Sequence, residues 1–210
     1  MSRHPVKTAG TKKVIYLSIV LFLAGMLTLS FRTGPAVVGN YTALPNDSIG
    51  SVKAFMSVYK VLMSPRCMNC HPAGDVPLQG DDSHLHTMNV KRGIDGGGVY
   101  AMRCSNCHQA QNTPGLHMPP GNRPWLLPPA HMRMVFQGRT PHQLALQLLN
   151  PKQNGGRSKA QLIDHIANDE LVGWAWHPGD GRTLPPMSRA TLAAQVRLWI
   201  AKGAYAPKAK

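Results

Sequence analysis

Acidic residues are scarce in this 210-residue chain: nine Asp and Glu stand against 23 Lys and Arg, a formal charge of +14. Aromatic residues are also few, at 6% of a chain that is 43% hydrophobic by count. That hydrophobic content, with no long polar low-complexity tract, excludes an intrinsically disordered chain. The 20 glycines follow no three-residue period, which excludes a collagen-like structure. Four cysteines are too few for a disulfide scaffold of this size. Sustained alternation of apolar and polar residues is missing as well, so a sheet-based fold is not expected. The surplus of positive charge bears on solubility and partners, not on fold.

What is present begins with an export pattern. Residues 1–13 form a basic n-region with Arg3, Lys7, Lys12 and Lys13 and no acid. Residues 14–31 are an uncharged apolar run closed by Arg32. Signal cores run ~7–15 residues and membrane spans ~17–25, so this run reads as a signal anchor or a signal peptide. The stretches Gly34-Pro35-Ala36 and Val37-Val38-Gly39 are poor cleavage sites. Either way the rest of the chain is expected outside the cytoplasm. It would be periplasmic, anchored to the inner membrane by residues 14–31 where they are not cleaved. Removing residues 1–36 takes away five basic residues and no acidic one, leaving 18 against nine, or +9.

Residues 32–47, with Gly34, Pro35, Gly39 and Pro45, read as a linker. Helical spacing of Val52, Phe55, Met56, Tyr59, Leu62 and Met63 predicts a helix from Ser48, ended before Pro65. Residues 72–103 show no sustained period, and residues 111–130 hold six prolines; both are expected to be mostly loop. Two capping boxes, Thr140 with Gln143 and Ser158 with Gln161, open the next two helices. Ser188 caps a last helix whose Leu192, Val196, Trp199 and Ile200 share a face until Gly203. The expected architecture is mainly α, with long loops and an N-terminal hydrophobic helix.

All four cysteines fall in two copies of one pattern, Cys67-Met68-Asn69-Cys70-His71 and Cys104-Ser105-Asn106-Cys107-His108. Cys-x-x-Cys-His is the attachment signal for c-type haem. The two thiols add to the porphyrin vinyl groups, and the adjacent histidine lies beneath the iron as proximal ligand. Two such pairs also admit a Cys₄ zinc site. However, His makes up 10 of 210 residues, so its presence after both pairs by chance is roughly 1 in 400. A thioredoxin-like pair needs a βαβ context that is missing. The reading is therefore two haem c groups, held by Cys67, Cys70, Cys104 and Cys107, with His71 and His108 on the irons.

At these residues the chain resembles the c-type cytochromes. The helix leading into CMNCH and the closing LAAQVRLWIAKGA are similar to the N- and C-terminal helices of small cytochromes c. The stretches RCMNCHPAGDVPLQGDD, MRCSNCHQ, NGGR and LVGWAWHPG resemble a group of exported dihaem proteins labelled as a subunit of isoquinoline 1-oxidoreductase. That resemblance implies association with a molybdenum-containing hydroxylase acting on a heteroaromatic compound or an aldehyde. The fold it implies is cytochrome c-like helices with long loops wrapping two covalently attached haems. This dihaem domain would occupy residues 48–205, followed by a basic tail at 206–210. With Cys67 only 37 residues before Cys104, two full cytochrome domains in series do not fit. One unit with neighbouring haems, the second motif inserted in a loop of the first, is expected.

The distal ligands stay open among several residues. His84 and His86 lie between the motifs, Met132 follows His131, and His177 sits in a Trp-flanked turn. Met187, Met118 and His165 are further candidates. Trp125, Trp174 and Trp176 are candidates to pack on haem, and Arg66, Arg103 and Arg123 to pair with propionates. Six-coordinate irons imply an electron-transfer protein, not an enzyme, passing electrons from a dehydrogenase partner toward the respiratory chain. An iron with an open position implies a haem enzyme or gas sensor. Nucleic acid is not expected as a partner; the positive surface suits an acidic face of a redox protein.

Overall fold

The computed structural model describes residues 47–209. The basic n-region, the hydrophobic segment 14–31 and all but the last residue of the 32–47 linker lie outside the described residues, so the expected N-terminal helix does too. Among the described residues, no helix is long and apolar enough to cross a membrane.

Among the described residues, six α-helices carry the fold: α1 (Ser48–Leu62), α2 (Pro65–Met68), α3 (Pro141–Leu149), α4 (Lys159–Asn168), α5 (Glu170–Trp174) and α6 (Arg189–Ala201). The core forms where α1 lies along α6, with α3 against α1 and α4 against α6. On α1 the buried positions Ser51, Ala54, Phe55, Val58, Val61 and Leu62 recur at the three-and-four spacing of one helical face. Leu192, Ala193, Val196 and Trp199 do the same on α6. Trp199 is fully buried, its ring centroid 4.7 Å from that of Phe55, and its indole N–H donates to the Tyr205 carbonyl at 3.0 Å. Ser51 ties the same corner twice, donating to the Trp199 carbonyl at 3.0 Å and accepting from the Tyr205 amide at 2.9 Å.

The helix starts follow from local chemistry. Thr140 and Ser158 form complete capping boxes with Gln143 and Gln161, and the Ser188 hydroxyl accepts from the Thr191 amide. Asp47 caps α1 through the Gly50 amide and pairs with Lys202 at the end of α6. Between α3 and α4 the NGGR stretch is a stapled turn. Asn154, 1% exposed, donates to the carbonyls of Leu148 and Arg157 and accepts from the Arg157 amide. Gly155 and Gly156 both take left-handed φ values, +79° and +76°, a conformation costly for a side chain with a Cβ.

Residues 72–135 are a long excursion between α2 and α3. Its residues 72–103, expected to be mostly loop, also contain two small antiparallel hairpins: β1 (Leu78–Gln79) with β2 (His84–Leu85), and β3 (Gly98–Val99) with β4 (Met102–Arg103). Strands of two residues are too short for a period of two to register in sequence. The short helices α2 and α5 escaped prediction for the same reason. The excursion buries little apolar surface, chiefly Val76, Leu78 and Leu127. Arg92 organises it instead. Only 1% exposed, it donates to the carbonyls of Pro128 at 2.6 Å and Gly74 at 3.0 Å. At the neck of the excursion the His71 carbonyl accepts from both the Phe136 and Gln137 amides, at 2.9 and 3.2 Å.

Two outcomes test this account. Trp199→Ala should destabilise the domain by about 3–5 kcal/mol in denaturant unfolding, through cavity formation. The Asp47 carboxyl is held below the ordinary aspartate range, first by its bond to Lys202 and then by the Gly50 amide. A depressed carboxyl contributes stability above its unfolded pKa and loses it as pH falls through the folded value. Asp47→Asn should therefore flatten the loss of stability below about pH 4 in an acid titration.

Candidate functional site

Each Cys-x-x-Cys-His segment is wound as a single tight turn. The Cys70 amide donates to Cys67 and the His71 amide to Met68; in the second copy Cys107 and His108 both donate to the Cys104 carbonyl. Spacings of three and four residues on such a turn bring both sulfurs and the imidazole to one face. All four cysteines are free thiols. Withdrawal from water pushes the Cys67 thiol up to about 12 and the Cys70 thiol up to about 11. A redox-active dithiol needs the opposite shift, toward thiolate. Among the described residues, no three His, Cys, Asp or Glu side chains gather in a group that could hold a metal ion.

The histidines share a second pattern. His71 Nδ1 lies 2.7 Å from the Met134 carbonyl oxygen, and His108 Nδ1 lies 2.7 Å from that of Pro120. A carbonyl only accepts, so Nδ1 carries the proton and the lone pair of each neutral ring is on Nε2. Each ring is also stacked on an aromatic: His71 on Phe136 at 3.9 Å and His108 on Trp125 at 4.6 Å, both with an interplanar angle of 11°. Burial holds His71 down to about 4 and lowers His108 as well, so both are neutral at pH 7. Anchored Nδ1, free Nε2 and neutral charge are the state in which histidine serves as a metal ligand.

A cavity of about 600 Å³ connects the motifs, reaching Cys70 from the first and Cys104, Cys107 and His108 from the second. Its size falls in the range of cofactor sites. Of the distal candidates, His84 and His86 line it; Met132 and His177 lie outside it. His177 is exposed, with its carbonyl bonded to Asn112. Met187 packs against the helical core, and its carbonyl accepts from the Trp176 indole at 2.8 Å. Met118 is exposed, and its carbonyl accepts from Arg182. His165, bonded to Asp169 through Nδ1 at 3.2 Å, is near enough to His71 that its charge helps depress that ring.

The cationic wall was only partly foreseen. Arg66 and Arg103 line the cavity, whereas Arg123 is exposed and outside it, and Arg182 takes part instead. Arg66 is 3% exposed in its side chain and paired with Asp81, while its Nε has no partner. Of the three tryptophans, Trp125 covers the His108 ring and Trp174 meets Trp125 edge-on at 4.8 Å; Trp176 faces the core. Asn112 was not singled out, yet it links the parts. Its Oδ1 accepts from the Trp174 indole and the Gly121 amide, both at 2.9 Å, next to the Pro120 carbonyl that holds His108. Its place in a proline-rich loop gave no sequence signal.

Comparison with family models, with curated proteins and with solved structures returned no match.

Asn112→Ala leaves two donors without their acceptor and should lower stability by about 2–3 kcal/mol, measured by thermal unfolding. Asn112→Asp keeps the acceptor oxygen but sets its second oxygen against the His177 carbonyl, which Asn112 Nδ2 donates to at 2.7 Å, and should recover only part of that loss.

Proposed function

We propose that the chain is an exported dihaem c-type cytochrome that relays electrons, receiving them from a dehydrogenase partner of the molybdenum-hydroxylase type. The observation that carries this reading is the duplicated arrangement of the motif histidines. In both copies the ring is neutral, stacked on an aromatic and bonded through Nδ1 to a remote carbonyl, beside two unbridged thiols. The residues of the second motif fit the group: the cavity wall presents Cys104, Cys107 and His108, with Cys70 of the first motif beside them, and the buried Arg66 has an Nε with no protein partner. Cys67, Cys70 and His71 would hold one haem, and Cys104, Cys107 and His108 the other. Haem iron supplies a one-electron couple whose potential depends on axial ligand, burial and nearby charge.

The protein's own residues have definite tasks in this reading. Cysteines 67, 70, 104 and 107 anchor; Met134 and Pro120 set the tautomer of His71 and His108 through their carbonyls. Phe136 and Trp125 exclude water from one face of each ring. Arg66, Arg103 and Arg182 offer guanidinium donors to carboxylates in the cavity. Cys70 and Cys104 line the same cavity, which supports neighbouring cofactors and short transfer between them. The +9 of residues 37–210, partly offset by propionates, would steer docking to an acidic partner and raise the association rate.

Expression in a host with active cytochrome c maturation should yield an intact mass of chain plus two haems. Replacing Cys104 and Cys107 by Ala should remove one and leave the other. A chain that matures without covalent haem, or that binds zinc in its place, would overturn the reading. Two haems that are low-spin and unresponsive to carbon monoxide would favour electron relay over an enzyme or gas sensor.

A further inference from the structure

The cavity holds a second imidazole opposite His108. The ring centroids of His86 and His108 are 6.3 Å apart and the planes are inclined at 69°. A direct hydrogen bond between two imidazoles would bring their centroids to roughly 5 Å. Two imidazoles bound to one metal through bonds of about 2.0 Å hold their centroids roughly 6 Å apart. The observed separation is too long for a direct hydrogen bond between the rings, lies within edge-to-face contact range, and leaves the span that one shared atom would fill. We propose that His86 is the second axial ligand to the iron held by His108, closing that site on both sides. This rests on the dihaem reading above.

The local structure supports His86 over its neighbours. Its backbone is held in place by the β1–β2 hairpin, with the His86 amide donating to the Pro77 carbonyl at 2.9 Å and its carbonyl accepting from Asn89 at 2.8 Å. Gln79 accepts from the Thr87 amide at 3.1 Å and fixes the next residue. The ring itself is lightly committed: its one hydrogen-bond contact is the Met88 amide approaching Nδ1 at 3.3 Å. Ligation through Nε2 places the proton on Nδ1 and gives up only that long contact. His84, two residues earlier, is exposed and bonded to Asp82 through Nδ1 at 2.7 Å. A histidine in place of methionine on the distal side holds a haem potential lower.

The full-length chain, matured with haem, tests the assignment. Intact mass comes first: a wild type without covalent haem overturns the parent reading before any ligand is scored. With two haems present, His86→Gly should turn one of them high-spin and open to carbon monoxide when reduced, about half the total haem signal. Added imidazole should restore the low-spin spectrum, and His84→Gly should change neither spectrum nor carbon monoxide binding. Two low-spin, unresponsive haems in His86→Gly would overturn the proposal. Should the glycine variant lose its second haem, His86→Met decides: one haem should acquire the charge-transfer band of Met-ligated ferric iron and a higher potential. Unchanged bands and potentials in His86→Met would overturn it.

Discussion

The hydrogen bond from each motif histidine to a remote backbone carbonyl is the constraint on which the rest of the site depends. Such a bond between neutral groups contributes only about 0.5–1.5 kcal/mol to stability. Its importance is directional. It selects the tautomer, orients the ring and leaves one nitrogen available, and it does so from Met134 and Pro120, which lie 63 and 12 residues along the chain. Both carbonyls belong to the excursion between α2 and α3. The site can therefore be no better ordered than that excursion.

The two halves of the domain are held by different physics. The helical half is a conventional apolar layer, where Phe55, Val58, Leu144, Leu192, Val196 and Trp199 are almost completely buried. The excursion relies on side chains that reach backbone carbonyls: Arg92 to Pro128 and Gly74, Arg66 to Gly80, Arg103 to Gly98. A buried guanidinium is costly to desolvate, and such groups persist where their hydrogen bonds define one arrangement among many. Gly96 shows how close that arrangement is. A Cβ there would sit 2.0 Å from the Leu127 carbonyl oxygen, whose own amide donates to the Gly96 carbonyl.

The helices were readable because their signals are local and periodic. Thr140 and Ser158 cap as their spacing to Gln143 and Gln161 implies, and α1 begins at Ser48, where the apolar stripe starts. The motif cysteines and histidines stand out for a similar reason, since each set falls within five consecutive residues. What could not be read depends on contacts across tens of residues. Phe136 under His71, Asn112 between two loops, and Arg182 in place of Arg123 carry no periodicity or motif. Within the cavity, His84 and His86 look alike in sequence; the hairpin turns one toward Asp82 and solvent, the other toward His108.

The two hydrogen bonds that the His71 carbonyl accepts from the Phe136 and Gln137 amides close the excursion at its neck. A chain whose departure and return are pinched together is a cassette with respect to the helices that hold it. Closure entropy grows only with the logarithm of loop length, so such an insert can lengthen or shorten with little effect on the frame. What limits it is the far side, where the His117 amide bonds to the Asp180 carbonyl and the Thr183 amide to Asp81. The second motif thus travels on a segment that the helical frame tolerates but that the 175–183 loop keeps in register, so excising it would cost that loop its seat before it cost α1 and α6 theirs.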